Sequence, residues 1–191
     1  RRSISFMLGT ANWTSRGFAL VDVNYGGSTG FGRAYRERLQ GRWGEVDVED
    51  AASGARHLAE VGVVDGARMV ITGGSAGGFT TLAAATFTDT FAAGASHYGI
   101  SDLSTLAADT HKLESRYCDG LVAPWPEGKE VYERRSGRKL AAPKTNEYGV
   151  TMVYCDLVKT IGAQLAAAGP NPTRVAFPRL RVGGLETLAW M

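Results

Sequence analysis

Histidine and cysteine are scarce in this sequence. It contains three histidines, His57, His97 and His111, and two cysteines, Cys118 and Cys155. Their spacing matches no metal-ligand set, and two cysteines do not build a disulfide framework. We therefore expect neither a metal nor a cofactor in this protein.

Charge imbalance and long apolar runs are also lacking. The net charge is +2 over 191 residues, which is too small to indicate nucleic acid or a membrane surface as a partner. No apolar run is long enough to span a bilayer. The chain starts with Arg1 and shows no signal peptide, so we expect the start to be internal to a longer chain. The compartment stays open, with the cytoplasm preferred.

Glycine, in contrast, is abundant, with 25 residues, and one glycine-rich stretch organises the chain. Gly73-Gly74-Ser75-Ala76-Gly77 matches the pattern G-x-S-x-G, between a short apolar segment and a segment rich in Ala, Leu and Thr. In α/β-hydrolases this pattern marks the nucleophile elbow, a strained strand-to-helix turn that exposes a serine hydroxyl. Only residues with little or no side chain fit at the flanking positions, which accounts for the glycines.

Two other interpretations of this stretch stay open. The glycines at 73 and 78 have the spacing of a phosphate-binding loop. However, Phe79 occupies the position of the lysine that contacts the β- and γ-phosphates. The other alternative is a plain glycine-rich turn between a strand and a helix.

Ser75 is the candidate nucleophile. A serine hydroxyl needs a base within hydrogen-bonding distance and an oxyanion site. The N–H of Ala76 would supply half of that oxyanion hole, at the N-terminus of a helix whose dipole favours negative charge. The predicted elbow turn comprises Gly73, Gly74, Gly77 and Gly78.

Strands and helices alternate along most of the chain. Buried strands are predicted at residues 17–25, 68–71 and 91–99, and helices at 47–61, 76–87, 103–108 and 127–135. This alternation predicts an α/β protein with a doubly wound, mostly parallel sheet, a partial α/β-hydrolase fold. Ligands bind at the carboxyl ends of such strands, where Tyr25, His97 and Tyr98 lie. We expect these three to line a pocket, with His97 as an alternative base, and His57 to lie on a helix surface.

The character of the sequence changes near residue 136. We expect a catalytic domain over residues 1–136 and an atypical segment over 137–191. Residues 150–168 predict a helix, with a strand at 150–154 as the alternative, and residues 173–191 show no clear pattern.

Four runs together resemble the catalytic domain of the prolyl oligopeptidase family of serine peptidases, over residues 13–136. They are SRGFALVDVNYGGSTGFG at 15–32, GRWGEVD at 41–47, GGSAGG at 73–78 and THKLESRY at 110–117. The resemblance is to the acylaminoacyl-peptidase and dipeptidyl-peptidase-like branch. It implies an α/β-hydrolase fold, cleavage of peptides or acyl-peptides through an acyl-enzyme on Ser75, and a place for His111 on the pocket rim.

The chain departs from that family in three places. Residues 1–14 contain no His-Gly-Gly-Pro-type turn for the second oxyanion donor, and no histidine follows His111 as the catalytic base. Asp156 is a candidate for the catalytic aspartate, although residues 153–157 do not look like the family's aspartate turn. We therefore predict that this chain alone is nearly inactive as a peptidase.

Other functions stay open beside the peptidase. The chain could be a non-catalytic binding module that keeps half of a hydrolase sheet. Residues 149–174 faintly resemble part of a periplasmic solute-binding protein, which would indicate a chimeric or misjoined reading frame. A sheet without its last strands would also leave an apolar edge, so we expect self-association through that edge.

Overall fold

The computed structural model describes residues 11, 13–109, 116–136, 150–154, 180–182 and 185–187. The chain divides into two compact units. The first unit comprises Arg1–Met69 and Asp102–Arg135, and the second comprises Val70–Ser101 and Ser136–Met191.

The described helices and strands follow one another along the chain. They are α1 (Arg33–Glu37), α2 (Val46–Glu60), a 3₁₀ turn (Gly66–Arg68), β1 (Val70–Gly74), α3 (Ala76–Phe87), β2 (Ala93–His97), α4 (Leu103–Asp109), α5 (Tyr117–Leu121), α6 (Lys129–Arg135), β3 (Val150–Tyr154), β4 (Leu180–Val182) and β5 (Leu185–Thr187).

Helix α2 is the longest helix of the first unit. Asp47 near its start accepts a hydrogen bond from the Gly44 N–H at 2.6 Å, and acidic residues in the first turn suit the helix dipole. Val48, Ala52 and Ala55 are buried at helical spacing, as their sequence pattern predicted. His57 is exposed on this helix, which confirms its predicted surface position.

The second unit is built on a three-stranded sheet in the order β1-β2-β3. Strands β1 and β2 are parallel, with Gly74 beside His97, and β3 pairs antiparallel with β2. Strand β3 therefore comes from the segment predicted to be atypical, and the predicted boundary at residue 136 stays a prediction. Strands β4 and β5 form a separate antiparallel pair.

Helix α3 packs against both β1 and β2. Phe79, Leu82 and three consecutive alanines at 83–85 are buried on it. Thr81 is also buried. Its hydroxyl donates to the Gly77 carbonyl at 2.9 Å, and this bond satisfies the donor inside the core. The helix occupies residues 76–87, as predicted from the sequence.

The strand predicted at residues 17–25 is wrong. The structure has no strand there, and Phe18, Leu20 and Val21 are each about half exposed. A strand forms only where its backbone groups pair with a neighbour, and the described part of the first unit contains helices and turns but no strand. The apolar pattern was present, but no pairing strand lies among the described residues of this unit.

The strand predicted at residues 68–71 exists but is shifted and less buried than expected. It begins at Val70, whose side chain is 54% exposed. The reason is that β1 is an edge strand of the described sheet, and α3 covers it on one face. The helix predicted over 150–168 is wrong at residues 150–154, which form the alternative strand because they pair with β2, and residues 155–168 lie outside the described residues. None of the helices within the described ranges combines the length and the apolar composition of a membrane span.

Candidate active site

Ser75 lies in a sharp turn between strand β1 and helix α3. Its backbone has φ 53° and ψ −117°, a left-handed conformation that non-glycine residues seldom adopt. Strand β1 ends at Gly74 and the helix begins at Ala76, so one residue makes the whole change of direction. This is the strand-turn-helix geometry of a nucleophile elbow, as the motif predicted.

The glycines of the turn differ in the space that a side chain would find at each position. A Cβ on Gly73 would overlap the Gly77 carbonyl, so the first glycine of the motif is required by the backbone of the last. A Cβ on Gly78 would lie 2.6 Å from the Gly99 Cα. Gly77 itself has open space where its Cβ would be, so the expectation that every flanking glycine avoids a clash is wrong at this position. Gly77 is only half-buried, whereas Gly78 and Phe79 after it are buried.

The Ser75 hydroxyl is accessible to solvent. Ser75 is exposed, and its side chain makes no hydrogen bond to any described residue. The Ala76 N–H is the first of helix α3, so it has no acceptor inside the helix. An exposed hydroxyl next to an unused N–H at a helix N-terminus suits attack on a carbonyl whose oxygen becomes negative.

His97 lies at the end of β2, directly beside the elbow. Its carbonyl accepts a hydrogen bond from the Ser75 N–H at 3.0 Å, so the backbones of the two residues are joined. The burial pattern of β2 puts Gly94 and Ser96 toward α3, and His97 therefore points to the opposite face of the sheet. No described hydrogen bond links the imidazole to Ser75, and its role as base stays a prediction.

Tyr98 follows His97 and has a positive φ of 41°. Its side chain is 71% exposed, and its ring lies against Gly74. The expected position of Tyr98 near the elbow is therefore found in the structure, while its contact with a substrate stays a prediction.

Of the other candidate residues, one belongs to the first unit and two lie outside the described residues, so their part in a site with Ser75 stays a prediction. Tyr25 belongs to the first unit and is 38% exposed, beside a loop in which the Gly26 N–H donates to Asp50 at 2.7 Å. His111 and Asp156 lie outside the described residues. In the described ranges, no three His, Cys, Asp or Glu side chains come together as metal ligands would.

Sequence reasoning missed one residue that supports the elbow. Ser96 is 1% exposed, and its hydroxyl donates to the Gly78 carbonyl at 3.1 Å. This bond fastens the first turn of α3 to β2. A serine inside an apolar strand pattern was the available signal, because a buried hydroxyl requires a partner.

The alternative of a phosphate-binding loop does not fit this geometry. Phe79 stands where such a loop has its lysine, and it is 1% exposed in the core of the second unit. Its side chain is therefore buried in the core and could not reach a bound ligand.

The chain is similar to known peptidases over part of its length. Dipeptidyl aminopeptidase BIII of Pseudoxanthomonas mexicana is 39% identical over 93 residues, which cover 48% of this chain and 14% of that protein. The structure of a Mycobacterium tuberculosis puromycin-hydrolyzing peptidase is 58% identical with a TM-score of 0.64, and the match covers 65% of this chain and 19% of that one.

A third similar protein is the acylaminoacyl peptidase of Pyrococcus horikoshii. Its structure is 30% identical with a TM-score of 0.54 over 59% of this chain and 19% of that one. The aligned region is thus less than one fifth of the length of each of these three relatives. The two solved structures confirm the α/β-hydrolase fold for the aligned region.

The sequence profile of the prolyl oligopeptidase family matches residues 4–156. This match spans most of the 191 residues and includes the elbow at Ser75. With the strand-turn-helix geometry at that serine and the likeness to solved peptidases, it confirms the resemblance found in the sequence. The chain belongs to the prolyl oligopeptidase family.

Proposed function

We propose that this chain carries the nucleophile of a serine peptidase that cleaves peptides or acyl-peptides through an acyl-enzyme on Ser75. The observation that carries the proposal is the conformation of Ser75. A positive φ of 53° at an exposed serine, between a strand and a helix N-terminus, is a strained arrangement that the surrounding glycines maintain. Such strain is found where a fold holds a reacting group in place.

The chemistry proceeds in two steps. In the first, the Ser75 oxygen attacks the carbonyl carbon of the scissile amide while a base removes the hydroxyl proton. The carbonyl oxygen becomes negative and accepts a hydrogen bond from the Ala76 N–H, and the C–N bond then breaks as the amine leaves with the proton. In the second step water attacks the ester on Ser75 and releases the acid.

No hydrogen bond among the described residues identifies the base of this reaction, and His97 stays the candidate. The Ser75 hydroxyl has no side-chain partner among them, and no histidine follows His111 in the sequence. Loss of the base lowers the rate of such enzymes on the order of 10⁴- to 10⁶-fold. We therefore infer that these 191 residues alone turn over peptides very slowly, although Ser75 keeps an accessible hydroxyl.

The test is covalent labelling of Ser75 with a fluorophosphonate, followed by peptide mapping. We expect slow modification at Ser75 over hours and none in Ser75→Ala. Ser53→Ala is the matched control, since Ser53 is also exposed but lies within helix α2, and it should label like the wild type. No modification at Ser75 would contradict the nucleophile, and complete modification within minutes would contradict the low activity.

A non-catalytic binding module is the second candidate function. It is favoured by the same missing partner of the Ser75 hydroxyl. In that case Ser75→Ala would leave peptide binding unchanged and no fluorophosphonate would react in either protein. Labelling therefore separates the two functions.

Self-association through the sheet is a further proposal for this chain. The outer edge of β1 has no partner strand in the described ranges, whereas β3 covers the far edge of β2. An unpaired strand edge exposes N–H and C=O groups that can pair with another chain. Light scattering should give a mass above that of the monomer, and a monodisperse monomer would contradict this proposal.

A further inference from the structure

The backbone at Tyr98 is unusual for a bulky residue. Its φ of 41° falls in the left-handed region, which aromatic side chains seldom adopt, and its side chain is 71% exposed. A residue in the interior of a fold can be forced into such a conformation by packing. Tyr98 is mostly exposed, with its ring centroid 6.4 Å from that of His97, so burial does not account for the conformation and the ring stands at one particular place on the surface.

That place is the elbow itself. A Cβ on Gly74 would lie 3.2 Å from the Cε2 and Oη atoms of Tyr98 and 3.3 Å from its Cζ. The phenol end of the ring therefore covers the residue immediately before Ser75. The bond lengths of the chain put it within roughly 9 Å of the Ser75 Cα.

The segment that carries the ring is fastened to the elbow from both sides. The Ser75 N–H donates to the His97 carbonyl at 3.0 Å, and the Ser96 hydroxyl donates to the Gly78 carbonyl at 3.1 Å. Gly78 also approaches Gly99 so closely that neither position has room for a side chain. The position of Tyr98 is thus set by its neighbours on both sides.

We propose that Tyr98 determines substrate specificity by forming an aromatic wall beside Ser75, and that Gly74 lacks a side chain to make room for it. The wall receives an aromatic side chain of the substrate, because two rings at 4.5–7 Å attract each other beyond their apolar burial. This inference rests on the proposed function of Ser75.

The test compares two N-acetylated aminoalkyl diphenyl phosphonates that differ only in their side chain, the phenylalanine and the alanine analogue. Both react with a nucleophilic serine, and the ratio of their labelling rates measures the preference for an aromatic group. We expect Tyr98→Ala to lower this ratio about 3- to 10-fold, the size of one aromatic contact. Tyr98→Phe should keep the ratio within about 2-fold, because the ring remains.

Phe87→Ala is the matched control. Phe87 is another exposed aromatic residue of the second unit, 54% exposed, at the other end of helix α3. Its loss should leave the ratio unchanged, since a 12-residue helix separates it from the elbow by about 18 Å. An equal fall in Tyr98→Ala and Phe87→Ala would overturn the proposal.

A second measurement separates this inference from the nucleophile. In the Ser75→Ala variant, ¹⁹F line broadening of N-acetyl-4-fluorophenylalanine amide reports binding without reaction, and adding Tyr98→Ala should weaken this binding by the same factor of about 3 to 10. Broadening that depends on Tyr98, without any labelling of Ser75, would support the wall and contradict the nucleophile. Labelling of Ser75 with a ratio unchanged in Tyr98→Ala would keep the nucleophile and overturn the wall, as would the absence of Tyr98-dependent broadening.

Discussion

The two compact units hold their main turns in different ways. In the second unit, the elbow from Gly73 to Gly78 is set by close backbone approaches that glycine alone permits. In the first unit, the turn before helix α2 is set by a buried side chain, Arg135, which reaches it from α6 at the other end of the unit's sequence. One turn depends on the absence of side chains and the other on the presence of one.

Arg135 is only 9% exposed, and four hydrogen bonds compensate for the burial of its guanidinium. Its guanidinium donates to the Gly41 carbonyl at 2.8 Å and to the Trp43 carbonyl at 3.2 Å. Two further bonds, at 3.1 and 2.8 Å, go to the same carboxylate oxygen of Glu45. A buried charge requires such compensation, and here it joins segments about 90 residues apart in sequence.

We expect the two turns to respond differently to amino-acid substitution. A backbone approach has no substitute, so a single methyl group at the wrong position has to displace main-chain atoms. A side-chain network consists of several bonds that are lost one by one, and exposed partners such as Glu45 can turn to water instead. We therefore expect abrupt effects in the elbow and graded effects around Arg135.

The largest effect is expected for Gly73→Ala. Its Cβ would overlap the Gly77 carbonyl, so either β1 or the first turn of α3 has to move. We expect the free energy of unfolding of the second unit to fall by about 4 kcal/mol, at the upper end of the cost of overpacking. Hydrogen exchange of the peptide Ala76–Phe87, measured by mass spectrometry, reports this loss.

Gly77→Ala is the matched control, in the same motif. Its Cβ meets open space and the position is helical, so alanine should stabilise α3 by about 0.5 kcal/mol. Equal destabilisation by both substitutions would show that the elbow does not depend on the Gly73–Gly77 approach.

A smaller effect is expected for Arg135→Met, which keeps the apolar part of the side chain. The turn loses donors to Gly41 and Trp43, and we expect about 3 kcal/mol less stability. Urea unfolding followed by tryptophan fluorescence measures the change, since Trp43 is 3% exposed next to this turn. Arg134→Met, at an exposed neighbouring position, should change the midpoint very little, and a similar loss in both variants would contradict the role of Arg135.

The smallest effect concerns one hydroxyl, that of Tyr132. Its side chain is fully buried and donates to the Ala123 carbonyl at 2.6 Å. Burial, followed by the charges of Cys118 and Asp119, raises the pKa of Tyr132 from 10.0 to about 12. Tyr132→Phe should cost about 1 kcal/mol at neutral pH, because the Ala123 carbonyl loses this donor.

The same shift makes stability depend on pH in a defined range. The folded protein favours the neutral phenol. The stabilisation that comes from the raised pKa of Tyr132 is therefore fully present below pH 10, and it is lost as the pH rises toward about 12. Within that range the wild type should lose about 1.4 kcal/mol per pH unit relative to Tyr132→Phe. Urea midpoints of both proteins at pH 9, 10, 11 and 12 measure this difference, and parallel curves would contradict the raised pKa of Tyr132.

Helices were easier to predict than strands in this chain. Helix α3 has its predicted ends and α2 lies within one residue of them, because their hydrogen bonds and apolar spacing are local. Residues 17–25 have the composition of a strand but find no pairing partner in the described part of their unit. Tyr98 could be placed near the elbow from sequence, whereas its left-handed backbone and its contact with Gly74 could not.

The sequence by itself determined the elbow, since Gly73 before Ser75 allows a turn that a side chain at position 73 would block. It also determined the family, through runs of residues that the profile match confirms. The tertiary structure alone decided that Gly78 has no room for a side chain, which face of the sheet His97 takes and where the Tyr98 ring lies. Gly78 meets Gly99 and Gly74 meets Tyr98, which are segments distant along the chain, and a local pattern carries no information about the atoms that a residue will meet.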